Sequence, residues 1–514
     1  MTRHGSHDDE PHGCMPETRE NILEILEGWA GNSNTSKVYW LKGMAGTGKS
    51  SIAHSLCEIL DKKGKLGGSF FCSRSDTTLR DPKVIVPTIA GMLARSSPSI
   101  QSELCQVLEQ HPDAAAFNSL TEQFNLLLAR PIENVIPKKI RTYKIIVIDA
   151  IDECSHQEKV ASLIETICDG VSNIPLKFFI SSRSEAWIEM AFSPYVHEAL
   201  SLKTIFPLHD VAAEDVRRDI KKFLKLSLSK VAQRFEGNTD WPSEQELKAL
   251  LDQSGRLFIY AATAVRYIRA SNADYRERLA AMTLPGFSSS HQTGRIDSFY
   301  NLIMEEAFGA LTETETARRR GILSTVIFLQ TPLSIQGMVS LLVLPEHDIR
   351  RNLRPFQSVI HVPSANVGQV SIFHTSFRDF MVGLARSKYC VDASESHHML
   401  ANNCLQYMNR SLRHNICNLP EDTVGSRPHV INDINIIPEA LQYACLYWAY
   451  HLAIALERPP GNAHALCLLS EFAGVHLLHW FVCLSAMGQL ESGVRSLRTA
   501  YEAISVSVSY KANS

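Results

Sequence analysis

The stretch YWLKGMAGTGKSSIA, Tyr39 to Ala53, runs from an apolar burst through a glycine-rich turn into a helical period. Within it Gly43, Gly48, Lys49 and Ser50 stand at the spacing of a phosphate-binding loop, after a strand and before a helix, which is the context that motif requires. Glycines let the backbone curl so that successive amides point at phosphate oxygens, and the helix that follows adds the partial positive charge of its N-terminus. Met44, Ala45, Gly46 and Thr47 fill the turn and Ser51 follows it, so the whole run from Gly43 to Ser51 is expected to wrap a phosphate chain. In that chemistry Lys49 reaches the β and γ phosphates and the Ser50 hydroxyl is a ligand for Mg2+.

Working outward, further apolar bursts read as strands: KVYWLKG from Lys37, GGSFFCS from Gly67, YKIIVIDA from Tyr143, LKFFISSR from Leu176 and VHEALSL from Val196. Helical stretches such as SIAHSLCEILDKKG and KVIVPTIAGMLARSS lie between them, so the pattern predicts an α/β domain, a parallel sheet with helices on both faces. A metal-binding carboxylate belongs at the end of a buried strand, and KIIVIDAIDEC supplies Asp149 there. Asp152 and Glu153 follow as candidates to polarise an attacking water. On the next burst, FFISSR ends in Arg183, a guanidinium suited to a γ phosphate. Asp152, Glu153 and Arg183 are thus the candidate catalytic set, with Ser50 and Asp149 as metal ligands. No NKxD-like signature of a guanine reader is present, which favours adenine without deciding it.

A chain of 514 residues predicts two to four domains. Its 45% apolar and 20% charged residues are ordinary for a globular protein, and a net charge of −3 excludes a global field recruiting nucleic acid or acidic membrane. The 12 cysteines show no CxxC pair or framework spacing, as expected of reduced thiols in the cytoplasm. The opening residues lack the apolar core of a targeting segment, and runs such as LLHWFVCLSAMG from Leu477 fall short of the roughly 20 residues of a span, so no membrane is expected.

Residues 1–16 read as a flexible lead and 17–205 as the nucleotide-binding domain. From 206 to 297 the strand bursts nearly stop, EDVRRDIKKFLKLSLSKV and EQELKALLDQSGRLFIYAATAVRYI reading as amphipathic helices, and PGFSSSHQTG from Pro285 as a linker. Helices, then SVIHV and QVSIFH as a hairpin, then SFRDFMVGLA suit a winged helix over 298–390. Residues 391–514 read as helical, with Tyr443, Tyr447, Trp448 and Tyr450 as a core stripe rather than a cofactor site. Arg350, Arg351 and Arg354 in HDIRRNLRPF leave a DNA-binding regulator open, although the net charge argues against it and acidic neighbours can hold them.

The phosphate loop, IIVIDAIDEC, FFISSR, SGRLFIYAA and FHTSFRDF together resemble fungal NACHT proteins of the STAND class of signalling ATPases, with a lead-in, CMPETRENILEILEGWA, similar to theirs. The resemblance implies ATP or ADP with Mg2+ as ligands and places Thr18 and Arg19 near the base. SGRLFIYAA, around Gly255 and Phe258, would lie against that base, although the start of a packed helix explains it nearly as well. The resemblance also implies that His374 touches the β phosphate of ADP and locks a closed form, against a plainer reading as a histidine in a local hydrogen bond. The function it implies is a molecular switch in signalling or non-self recognition, reset by slow hydrolysis through Asp152 or Glu153. An active hydrolase or motor, and a scaffold with a merely structural nucleotide, stay open beside it. Such proteins carry an effector before this module and sensor repeats after it; neither is read here, so a truncated form with protein partners in trans, or self-association, is expected, with no nucleic acid.

Overall fold

The burst that opens the phosphate stretch forms β1 (Val38–Lys42), buried in all but its last residue. Four more strands lie parallel with it: β2 (Leu66–Phe71), β3 (Lys144–Asp149), β4 (Leu176–Ser182) and β5 (Lys203–Pro207), in the order β2-β3-β4-β1-β5. In this computed structural model the described residues are 13–74, 76–117, 119–135, 143–195, 203–208, 211, 213–236, 241–270, 274–283, 292–363, 368–383, 386, 388–416, 436–457 and 463–512. The stretch VHEALSL falls at 196–202, outside them. The fifth strand begins just after it and ends at Pro207, beyond the boundary read at 205.

Alternation along each strand divides the core into two layers, because successive side chains of a strand face opposite sides. Val38 and Trp40 pack with Ile146, Ile148 and Phe178 under helices such as Ile85–Ser96 and Gln157–Gly170. Tyr39 and Leu41 pack with Val147 and Phe179 under Glu20–Gly31 and Lys49–Lys62. Both faces being covered explains why β1, β3 and β4 read as near-continuous apolar runs. The order also sets β4 between the strand that feeds the phosphate loop and the strand that ends in Asp149, so the loop, Asp149 and Arg183 all leave the sheet at its C-terminal edge.

Two compact units divide the chain, Asp8–Ile296 and Asp297–Ser514. The first holds the sheet and also the helices Ala213–Glu236, Glu244–Ser254, Phe258–Arg269 and Tyr275–Thr283. The run read as one helix, EQELKALLDQSGRLFIYAATAVRYI, is two. Gly255 takes φ 55, a left-handed value that glycine reaches without a Cβ penalty, and ends the first of them.

In the second unit, helices Glu313–Phe328, Ile335–Leu342 and Glu346–Leu353 precede an antiparallel pair, β6 (Ile360–His361) with β7 (Ser371–Ile372), and the helix Thr375–Val382. Leu333 bridges to Val370 beside that pair. Farther on, Trp448 of the helix Glu439–Leu456 packs against Phe472 and Trp480, so Trp448 and the buried Tyr443 are core, whereas Tyr447 is half-buried and Tyr450 is exposed. One helix, His464–Ala486, has a mean hydropathy of 1.5 and is long and apolar enough to cross a membrane by length and composition. The sequence reading undercounted it by starting at Leu477. Trp480 and Cys483 on that helix are fully buried among its neighbours.

Candidate functional site

The loop after β1 is held from three sides. Gly43 donates its N–H to the Ser182 carbonyl at 3.1 Å, tying the loop to the end of β4. Gly46 and Gly48 take φ 76 and 91, so both lie where a side chain is strained. Lys49 Nζ donates to the carbonyls of Gly43 at 2.8 Å and Met44 at 2.9 Å, so the ammonium sits within the curl of the loop. Burial lowers its pKa, opposed chiefly by the charges of Asp152 and Asp149. Thr47 Oγ1 closes the turn on the Met44 carbonyl at 2.9 Å, while the Met44 side chain is exposed.

Asp149 ends β3 buried, and its Oδ1 accepts from the Ser181 hydroxyl of β4 in a very short hydrogen bond. Burial raises its pKa; Ser181, Ser50 and Lys49 hold it down. Ser50 and Asp149 are therefore neighbours, a hydroxyl and a carboxylate of the donor types a hard divalent cation takes.

Residues 17–183 match the family described as Nephrocystin 3, N-terminal. The match runs from the lead-in through the first four strands to Arg183 just past β4, and it includes every residue of the phosphate loop. Residues 17–183 are thus similar to that family, and the turn between β1 and the helix Lys49–Lys62 has the geometry of a phosphate-binding loop. Among solved structures, the chain is similar to a STAND protein with a tetratricopeptide repeat sensor from Pyrococcus horikoshii at 16% identity, over 96% of this chain and 66% of that one, with TM-score 0.40. It therefore spans just under two thirds of that protein's length. It is also similar to a Walker-type ATPase of Pyrococcus abyssi (13% identity, 72% and 98% of the chains, TM-score 0.36) and to the Orc1 protein of Aeropyrum pernix in complex with DNA (14%, 72% and 92%, TM-score 0.34). No curated protein matches. The expectation that nucleic acid is not a partner is not borne out by these comparisons.

Beyond Asp149 the chain makes a tight turn, with Ala150 at φ 53 and its N–H on Ser181 Oγ at 3.0 Å, and this turn presents the acidic pair. Asp152 is buried; its Oδ1 accepts from the Arg183 N–H at 3.0 Å and its Oδ2 lies 3.4 Å from Arg183 Nε. Sequence reasoning missed Arg74. It follows β2, its N–H donates to Glu153 Oε2 at 3.2 Å, and its Nη2 donates to the Asp152 carbonyl at 3.2 Å. The position just past the C-terminal end of β2, next to β3 in the sheet, was the available signal. Burial, with Asp152 adding to it, pushes the Glu153 carboxyl up to about 7.

Arg19, 5% exposed, lies against the loop. Its Nη2 donates to the Thr47 carbonyl at 2.6 Å, its backbone N–H donates to Asp219 Oδ2 at 3.0 Å, and its guanidinium lies 4.5 Å over the Phe258 ring. Nε and Nη1 are buried without a protein partner, two donors with capacity for a ligand acceptor. A nucleotide fits this donor set. Thr18, by contrast, turns its hydroxyl to the Met15 carbonyl at 2.6 Å. Ser51 sits half-buried as the third residue of the helix, and Ala45 is half-buried in the loop.

His374 lies in the second unit, at the N-terminus of Thr375–Val382. Its Nδ1 accepts from the Ser376 N–H at 3.1 Å, the local bond of the plainer reading. Arg350 bonds Glu346 Oε1 at 2.7 Å and the Pro363 carbonyl at 2.7 Å, and Arg351 bonds Asp348 at 2.9 Å. These two arginines are engaged within their own unit.

Proposed function

We propose that this chain is an ATP- and ADP-binding molecular switch of the NACHT type in signalling, with a slow hydrolysis step that resets it. One observation carries the reading. Ile259, at the start of the helix Phe258–Arg269, donates its N–H to the Gly46 carbonyl at 3.1 Å, so the helical segment is joined to the backbone of the phosphate loop itself. A loop that changes with its ligand then has a mechanical path to the rest of the chain, as a switch needs a second element whose position depends on the bound nucleotide.

In this reading the amides of Gly43 to Ser51 and the Lys49 ammonium hold the phosphates, Arg19 supplies two further donors, and Ser50 with Asp149 holds Mg2+, which supplies charge neutralisation at the phosphates when bound. Asp152 or Glu153 polarises water, and the hold of Arg183 on Asp152 and of Arg74 on Glu153 supports slow rather than rapid turnover. His374, in a winged helix over 298–390, is assigned to the β phosphate of ADP in the closed form, on the strength of the resemblance. Free thiols at the described cysteines support a reducing compartment, the cytoplasm, and protein partners complete the signal.

Chromatography of the denatured purified protein tests the reading. Stoichiometric ADP with turnover far below the ~1–100 per second typical of kinases supports the switch. An empty protein with turnover in that range supports a motor instead. Lys49→Ala separates the scaffold reading: retained folding without nucleotide supports a switch, and collapse supports a structural ligand.

A further inference from the structure

Cys72 and Cys154 face each other across the acidic turn. Their sulfurs lie 3.2 Å apart, both side chains are buried, and neither is in a disulfide. That separation is closer than the roughly 3.5–4.0 Å optimum of carbon atoms, which are smaller than sulfur. Each is anchored by its own backbone. Cys72, just past the end of β2, donates its N–H to the Asp149 carbonyl at 3.0 Å, and Cys154 caps the turn Ile151–Glu153 with its N–H on the Ile151 carbonyl at 3.2 Å. Closing the sulfurs to a bond length of about 2.05 Å asks for a shift of only about 1 Å.

We propose that Cys72 and Cys154 form a reversible intramolecular disulfide that pins the turn carrying Asp152 and Glu153 to the end of β2, and so slows release of bound nucleotide. Cys72 precedes Arg74 by two residues and Cys154 directly follows Glu153, so the bond would close a covalent ring around the contacts of Arg74 with Asp152 and Glu153. The coupling to nucleotide rests on the proposed function; the disulfide itself does not.

The oxidant is a small hydroperoxide, since burial shuts out bulky disulfides. One thiolate attacks a peroxide oxygen, the O–O bond breaks, and a sulfenic acid forms as hydroxide leaves and takes up a proton. The second thiol then attacks the sulfenic sulfur, the S–S bond forms and water departs, carrying the thiol proton. Two thiols lose two electrons and hydrogen peroxide becomes two waters. Burial raises the Cys72 thiol, so Cys72 itself is slow to form an attacking thiolate.

Full-length protein is treated with hydrogen peroxide, digested without reductant and analysed by mass spectrometry, while loss of a prebound fluorescent ADP analogue is timed in parallel. A Cys72–Cys154 crosslink with a mass loss of about 2 Da, reversed by dithiothreitol, with nucleotide release slowed several-fold, is the expected result. Cys72→Ala and Cys154→Ala each abolish both effects, and a melting curve confirms that each variant folds. The proposal is overturned if both thiols still alkylate after a dose that oxidises the exposed Cys105 and Cys467. It is overturned equally if the crosslink forms and release is unchanged. Should neither form bind nucleotide, the switch reading fails, and the lost coupling also overturns the regulatory claim while the crosslink is still read by mass.

Discussion

Ile259 occupies the space a side chain on Gly46 would need: a Cβ built there would fall 2.0 Å from Ile259 Cγ2. The same two residues share the backbone hydrogen bond that joins the helical segment to the phosphate loop. Gly46→Ala therefore meets both a left-handed φ, costing about 1–2 kcal/mol, and a collision with a β-branched side chain that has little rotamer freedom. The variant should lose nucleotide affinity by at least tenfold, and pairing it with Ile259→Ala should restore part of that loss. Equal affinity of Gly46→Ala and the parent, measured by fluorescence titration, would show that the contact does not shape the loop.

Arg19 gives a separate handle, because its guanidinium keeps two buried donors unmatched by protein. A buried donor without an acceptor costs about 1–3 kcal/mol, so Arg19→Met should leave the nucleotide-free protein about as stable as the parent while weakening nucleotide binding roughly tenfold or more. Melting with and without ADP distinguishes the cases. A large drop in the nucleotide-free melting temperature with unchanged affinity would make Arg19 a structural strut between Thr47 and Phe258.

The placement of the candidate site was largely legible in the sequence. The turn from Gly43 to Ser50 and the strand-end Asp149 were legible because each is a local pattern of residue types at fixed spacing, and four of the five strands show as apolar runs because both faces of the sheet are covered. Arg74, Ser181 and Asp219 were not legible. Each acts through a partner far away in sequence, brought near by strand order or by helix packing, and local pattern carries no record of such pairings. The Gly255 break was legible only as one of two readings of SGRLFIYAA, for a different reason. A single glycine inside an amphipathic period is tolerated often enough that only its φ shows the helix has ended.

Glu153 makes the chemistry depend on pH. With its carboxyl pushed up to about 7, it is largely protonated at pH 6 and ionised at pH 8. If it serves as base, single-turnover hydrolysis should rise through pH 7, and Glu153→Gln should lower it by roughly 100-fold or more and abolish that rise. Stability runs the other way. The folded-state value is raised above the ordinary 4.5, so the protonated form favours the fold; that contribution is complete below 4.5 and is lost as pH climbs through about 7. Glu153→Gln should therefore melt higher than the parent at pH 8 and equally at pH 4.5. A parent rate flat from pH 6 to 8 would remove Glu153 from the base role.

In the second unit a buried chain of polar groups sets an acid limit. Gln330 N–H donates to the Tyr443 oxygen at 3.2 Å, and Tyr443 lies 2.7 Å from His451 Nε2. His451 Nδ1 in turn lies 2.7 Å from His397 Nδ1. With Tyr443 donating to Nε2, a neutral His451 carries its proton on Nδ1 and gives it to His397, whose Nδ1 must then be bare. Protonating His397 would set two N–H groups face to face. Burial already drives both imidazoles down, His397 to about 4 and His451 well below its ordinary value. A base whose folded pKa is depressed contributes stability that is whole above its unfolded value near 6.5 and drains away as pH falls toward the folded one. From the His397 shift alone that loss reaches up to about 3 kcal/mol. The His397 contribution to thermal melts of the full chain should hold steady from pH 8 to 6.5 and fall between 6.5 and 4, against the opposite trend from Glu153. His397→Phe, which keeps an aromatic ring beside Phe328, should shrink the drop. If parent and variant lose melting temperature in parallel across that interval, the acid limit lies elsewhere, with the carboxylates.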